Sequence, residues 1–364
     1  MLGGDARRAF VNGTISSEVG HAVLAVRKDG RDFTARIKAQ EVNLRRILAD
    51  NQFGIVTGYI NASGNIPAKG IPELAAKGTI DRFDYKGYSY RNIIIDGNIH
   101  HHTISGTGKI NDQNISLNVN GNFGIGQGKY NIKADIAKIS PLILKKWTGI
   151  TKNYTFRDIH IEAEKQGRNS NLNITTPEIQ AHLNGIYNYS TLLQSAQQLL
   201  ADKLPTLPGL KSVSGKRSNS FSFDVAVKGT DMIKKLFGIP LDLNTTTDIK
   251  GGISDFSKTA DIDVNIPGFT YDGVKYRQGA IRLSTPNDTM KVDANLCAEN
   301  GNCFDVRASA AHNRLSTALL FDNHSPKLHI RGNILSRTQF FKNLAGQNTA
   351  HIEVMPFSYT HLPL

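Results

Sequence analysis

The chain has 364 residues, 39% of them hydrophobic, with 33 glycines, 2 cysteines and a formal net charge of +12 at pH 7. That apolar share is below the roughly 45–50% of an average globular domain, which argues against a thick core and for a thin sheet. No apolar run approaches the ~18 residues of a membrane-spanning helix, and Met1-Leu2-Gly3-Gly4-Asp5 lacks the charged-then-apolar layout of a secretory signal.

In chain order the sequence divides into repeat units, and it opens in mid-pattern, as an internal segment would. Residues 1–50 are a truncated first unit, with a strand at Phe33–Lys38 and a short helix at Asn43–Leu48. Residues 51–150 are the second. Here Phe83–Asn92 turns back on itself at Lys86-Gly87, and the strand Tyr130–Asp135 leads into a helix at Ser140–Trp147. Residues 151–240 are the third, with a helix at 191–204 stopped by Pro205 and Pro208 and an exposed loop at 205–220. In the same unit the strand Phe223–Lys228 leads into a helix at Asp231–Phe237. Residues 241–346 are the fourth, with a second hairpin at Phe269–Gln278, a strand at Leu328–Gly332 and a helix at Thr338–Leu344. Asn43, Ser140, Asp231 and Thr338 are N-cap residue types, and Pro141 suits the first helical position. Residues 347–364 are a tail in which Ser358-Tyr359-Thr360-His361-Leu362 reads as translated sequencing adapter, making the last residues non-native. Such units cannot bury an apolar face alone, so they are expected to stack into one continuous elongated body.

The dominant signal is period-two alternation. Apolar residues fall on one parity at Ile93 and Ile95, at Ile115, Leu117, Val119 and Phe123, and at Ile159 and Ile161. The pattern returns at Phe221, Phe223, Val225 and Val227, and at Ile262, Val264 and Ile266. Successive side chains of a strand point to opposite faces, so these residues are expected to line one apolar face of a mostly-β, antiparallel sheet with a few short helices. Tyr85, Tyr88, Tyr90, Tyr271 and Tyr276 gather in the two hairpin motifs. They fit cross-strand packing or an amphipathic rim beside a groove.

Chemistry-bearing constellations are scarce. His100-His101-His102 follows a strand and reads as a turn, because adjacent strand residues alternate sides and cannot all face one ion; no metal site is expected. The glycine-rich Gly121–Gly128 opens no helix and is no phosphate loop. Asp261 and Asp263 share a wet face and read as solvated. No nucleophile–base arrangement stands out, so neither an enzyme nor a cofactor is expected. Cys297 and Cys303 flank Glu299-Asn300-Gly301 in a predicted hairpin, on the polar parity of both strands. A three-residue loop with left-handed Gly301 sets them opposite each other. A cross-strand disulfide is expected, implying an oxidising compartment; two free thiols are the alternative. The basic surplus fits a solvated surface or contact with phospholipid headgroups. Nucleic acid is not expected, because Lys and Arg are scattered and not interleaved with aromatics.

The run Lys77–Ile93 with Asp96-Gly97, together with the strand-to-helix repeats at Phe33, Tyr130 and Phe223, resembles the TamB-type translocation and assembly proteins of the AsmA-like superfamily, in particular their Bacteroidetes-type members. The resemblance implies an elongated, curled, taco-like sheet with an apolar groove. It implies a periplasmic bridge for phospholipid between inner and outer membranes, anchored to the inner membrane by a segment outside this chain. Partners would be phospholipid acyl chains and an outer-membrane assembly barrel protein, with support of outer-membrane protein assembly as a second role. Two competing classes stay open: a structural or adhesive surface protein with a closed β core, and an enzyme whose site residues lie outside this segment.

Overall fold

A computed structural model describes residues 2–5, 7–208, 218–325, 328–343, 345–355 and 359–362. The middle of the loop expected at 205–220, and residues 356–358 and 363–364 of the tail, lie outside these. The chain divides into two compact units, residues 1–167 with 174–176, and residues 168–173 with 177–364.

Unit 1 contains β1 (Leu2–Gly4), β2 (Arg8–Ser17), β3 (Gly20–Asp29), β4 (Asp32–Asn43), α1 (Leu44–Leu48), β5 (Phe53–Asn65), β6 (Glu73–Tyr85), β7 (Tyr88–His100), β8 (Thr103–Asn111), β9 (Ile115–Gly124), β10 (Lys129–Ile139), α2 (Pro141–Thr148) and β11 (Phe156–Gln166). Strand β12 (Asn169–Thr175) falls on the division. Unit 2 contains β13 (Ile179–Ile186), α3 (Leu192–Lys203), β14 (Ser220–Val227), α4 (Asp231–Phe237), β15 (Leu241–Leu243), β16 (Thr247–Ser254), β17 (Thr259–Ile266), β18 (Phe269–Tyr271) and β19 (Val274–Ser284). It continues with β20 (Met290–Ala298), β21 (Cys303–Ala311), β22 (Arg314–Ser325), β23 (Leu328–Lys342), β24 (Asn348–Met355) and β25 (Tyr359–Leu362).

In unit 1, β1 to β11 each pair antiparallel with their neighbours in sequence. In unit 2 the ladder runs β13, β14, β16, β17, β19, β20, β21, β22, β23, again antiparallel. Tight turns set this meander. Lys86-Gly87 has φ values of 48° and 71°, and Asp272-Gly273 has 47° and 78°, the left-handed pair of a two-residue hairpin. Neither unit pairs its first strand with its last, and neither closes or curls strongly. The taco-like cross-section is therefore corrected to an open sheet: strands pair with neighbours one to three places away in the chain, and among the described residues no pairing draws the edges of either unit together.

The helices are caps on this sheet. Helix α1 is capped by the Asn43 side chain, which accepts from the Arg46 N–H at 3.3 Å. The cap of α4 comes from elsewhere: Thr230 is the N-cap residue, and Glu178 accepts from the Met232 N–H at 2.9 Å. The helix expected at Thr338–Leu344 is a correction, because Thr338 to Lys342 continue β23. Their N–H and C=O groups are taken by β22 and β24, and Phe340 buries its ring at 6% exposure. Tertiary pairing outweighs the weak local helical signal.

Two dry clusters lie where helices meet strands. In unit 1, α2 lays Ile143 over Tyr90, Ile115 and Ile139. In unit 2, α3 lays Leu199 over Ala260, Met290, Ala310 and Phe340. A polar network anchors α3: buried Asn219 donates to the Thr191 and Ser195 hydroxyl oxygens, and Ser195 donates to Asp255 at 2.9 Å.

Candidate functional site

Directly opposed residues in an antiparallel ladder point to the same side, so the registers trace each face across the strands. In unit 1 one row runs Ile37, Ile60, Gly78, Ile95, Gly108, Val119, Ala134, Ile161. A row four residues along each strand runs Phe33, Gly64, Leu74, Ile99, Ile104, Phe123, Tyr130. Ile93, Ile115, Leu117 and Ile159 are on the same side, nearer α2. All eight groove residues singled out in this unit thus share a face, but not one environment. Ile115 is fully buried under α2 and is closed to any ligand, whereas Phe123 is 46% exposed.

Between those two rows lies a third: Ala35, Ala62, Ala76, Gly97, Gly106, Gly121, Ile132. Its small side chains hollow the face. A Cβ on Gly106 would stand 2.7 Å from the Asp96 carbonyl oxygen, so the backbones approach too closely for any side chain there. The result is a cavity of about 490 Å³, floored by Gly97, Gly106 and Gly121 and walled by Ile95, Ile99, Ile104 and Phe123. Because the rows cross the strands, the trough runs perpendicular to them. The sequence pattern showed the walls; the floor is legible only once the register aligns single glycines and alanines from six strands.

In unit 2 the matching row is Ala181, Val225, Ile249, Val264, Ile281, Ala294, Val306, Leu319, Ile334. Phe221, Phe223, Val227, Ile262 and Ile266 are on its side. Ile249, Ile281, Val306 and Leu319 were missed, although the same alternation marks their strands.

The reverse face of unit 2 has its own pattern. Asp224, Lys250, Asp263, Arg282, Asp293 and Arg307 stand opposite one another on six successive strands, alternating in sign. Lys250 meets Asp224 at 3.1 Å and Arg282 meets Asp263 at 3.7 Å. Asp263 is thus one rung of a charge ladder, not half of an acid–base pair with Asp261. Cys297 and Cys303 are on this polar side, opposed in register with Cα atoms 4.1 Å apart and joined as a disulfide; Gly301 in their loop has φ 90°.

The hairpin tyrosines are packing groups. Tyr88 and Tyr90 meet edge to face at 4.8 Å, and the Trp147 indole donates to the Tyr90 hydroxyl at 2.8 Å. Burial, and then the hydrogen bond to Asp112, raise the Tyr88 phenol above its ordinary value. Tyr276 stacks on Phe269 at 4.6 Å, and Tyr271 is exposed. Among the described residues no helix is long and apolar enough to cross a membrane. No family model, no curated protein and no solved structure matches the chain.

Proposed function

We propose that this chain works as part of a TamB-type lipid bridge in the periplasm, holding phospholipid acyl chains against its apolar sheet face during passage between inner and outer membranes. One observation supports this above the others. The rows of large apolar side chains flank a trough and are left partly open to solvent, with Ile37, Ile104 and Phe123 all more than a third exposed. Continuous exposed apolar surface of this kind marks an interaction site. Each methylene buried there contributes roughly 0.8 kcal/mol, and the contact is non-directional, which suits a ligand that slides.

Mass spectrometry of lipids extracted from the purified, periplasmically expressed protein tests the reading. Phospholipid in stoichiometric amounts is expected, and reduced amounts from Val119→Asp and Val225→Asp variants whose circular dichroism is unchanged. Protein that purifies free of lipid while folded would favour the structural or adhesive alternative. The sealed clusters under α2 and α3 are the observation on that side, since there the chain closes its own apolar face.

A further inference from the structure

The turn between β7 and β8 brings together groups that strand alternation alone would separate. Only His100 belongs to a strand; His101 and His102 form the turn, with φ values of 45° and 64°. Left-handed backbone at both turn positions favours Asn-Gly, and histidine is among the few other residue types that adopt it. It also takes the side chains off the pleat, so His101 is not held on the face opposite His100. The two rings stand 3.8 Å apart between centroids. Glu73, the first residue of β6, precedes Leu74, which opposes Ile99; Glu73 therefore arrives beside His100.

His100 Nδ1 lies 3.3 Å from a Glu73 carboxylate oxygen, and one ligand atom from each of Glu73, His100 and His101 falls within 4.8 Å of the others. All three side chains are exposed. Zinc–nitrogen and zinc–oxygen bonds of about 2.0–2.2 Å place tetrahedral ligands about 3.3 Å apart, so the Glu73–His100 spacing is already that of two ligands on one ion. It is longer than the ~2.7–2.9 Å of a charge-assisted hydrogen bond. Two imidazoles and one carboxylate suit Zn²⁺ and its transition-metal neighbours; Ca²⁺ and Mg²⁺ take oxygen ligands.

We propose that Glu73, His100 and His101 form a surface site for a divalent transition metal of the Zn²⁺ class, with solvent completing the coordination. Bound metal ties the start of β6 to the β7–β8 turn, at the strand ends whose next residues, Leu74 and Ile99, face the trough from the other side. The inference does not depend on the lipid reading.

The test titrates tag-free, chelator-stripped full chain with Zn²⁺ by calorimetry and with Co²⁺ by visible absorption. One saturable site with nitrogen–oxygen cobalt bands is expected. Affinity should fall about tenfold or more in Glu73→Gln and in His101→Ala, and stay unchanged in His102→Ala, whose side chain is outside the cluster. Metal should raise the melting temperature of the wild type but not of those two variants. Wild-type binding equal to that of a His100→Ala/His101→Ala double variant would overturn the site, and so would a His102→Ala loss as large as that of His101→Ala. Each position is exposed, and melting without metal verifies that the variants fold.

Discussion

Asp84 shows how one side chain is held by its surroundings. Its carboxylate accepts from Arg82 at 2.8 and 2.9 Å and from the Ile55 N–H at 3.2 Å. Burial works to raise its pKa, but the hydrogen bonds from Arg82, Ser89 and Ile55 outweigh it and hold it below 3.8, the ordinary value. A depressed carboxylate stabilises the fold above the unfolded value, and that stability is lost as pH falls through the folded one. Asp84→Asn is therefore expected to cost about 1–3 kcal/mol at neutral pH and to flatten acid unfolding below pH 4, read from melting temperatures across an acid series. A variant as stable as wild type at pH 7 would contradict this. Gly54 belongs to the same site, since a Cβ there would meet the Asp84 Cβ at 2.6 Å. Lys203 is a different case. Its side chain is 2% exposed, and its ammonium is paired with Asp288, whose carboxylate is lowered first by that hydrogen bond and then by the lysine charge.

At the scale of elements, the helices decide which part of the face is sealed. Ile143 is fully buried between α2 and the sheet, and Ile143→Ala is expected to cost about 2–5 kcal/mol by denaturant unfolding. A loss below 1 kcal/mol would mean that α2 is a loose cover. The charge ladder acts on register. Arg282→Glu sets a like charge opposite both Asp263 and Asp293, and a loss of about 1 kcal/mol that shrinks in high salt is expected. A salt-independent loss would remove the ladder from the account. These elements were legible to different degrees. Alternation identified the strands, and the Lys-Gly and Asp-Gly pairs identified two turns, because both signals are local. The helix expected at Thr338 failed because its partners, β22 and β24, decide the outcome. The ladder and the trough floor were invisible because each exists only across strands, where the register, and not any one strand's pattern, sets which residues stand side by side.

For the whole molecule, the described strands continue almost to the end of the chain, with most large apolar side chains gathered on one side in each unit and Tyr59 and Ile94 exposed on the other side of unit 1. The disulfide contributes little to that arrangement. Cys297 and Cys303 close one short hairpin, worth about 2 kcal/mol by loop-closure entropy, so the Cys297→Ser/Cys303→Ser variant is expected to keep its fold and its lipid. The central claim is that acyl chains cover the apolar side and only that side. Site-specific photo-crosslinking tests it most directly, with a benzophenone amino acid placed in turn at Val119, Val225, Asn118 and Asp224 in living cells. Val119 and Val225 are on the apolar side; Asn118 and Asp224, their neighbours in sequence, point the other way. Crosslinks to phospholipid at Val119 and Val225 and none at Asn118 and Asp224 are the expected result. Equal labelling at all four positions, or none at Val119 and Val225, would contradict the account.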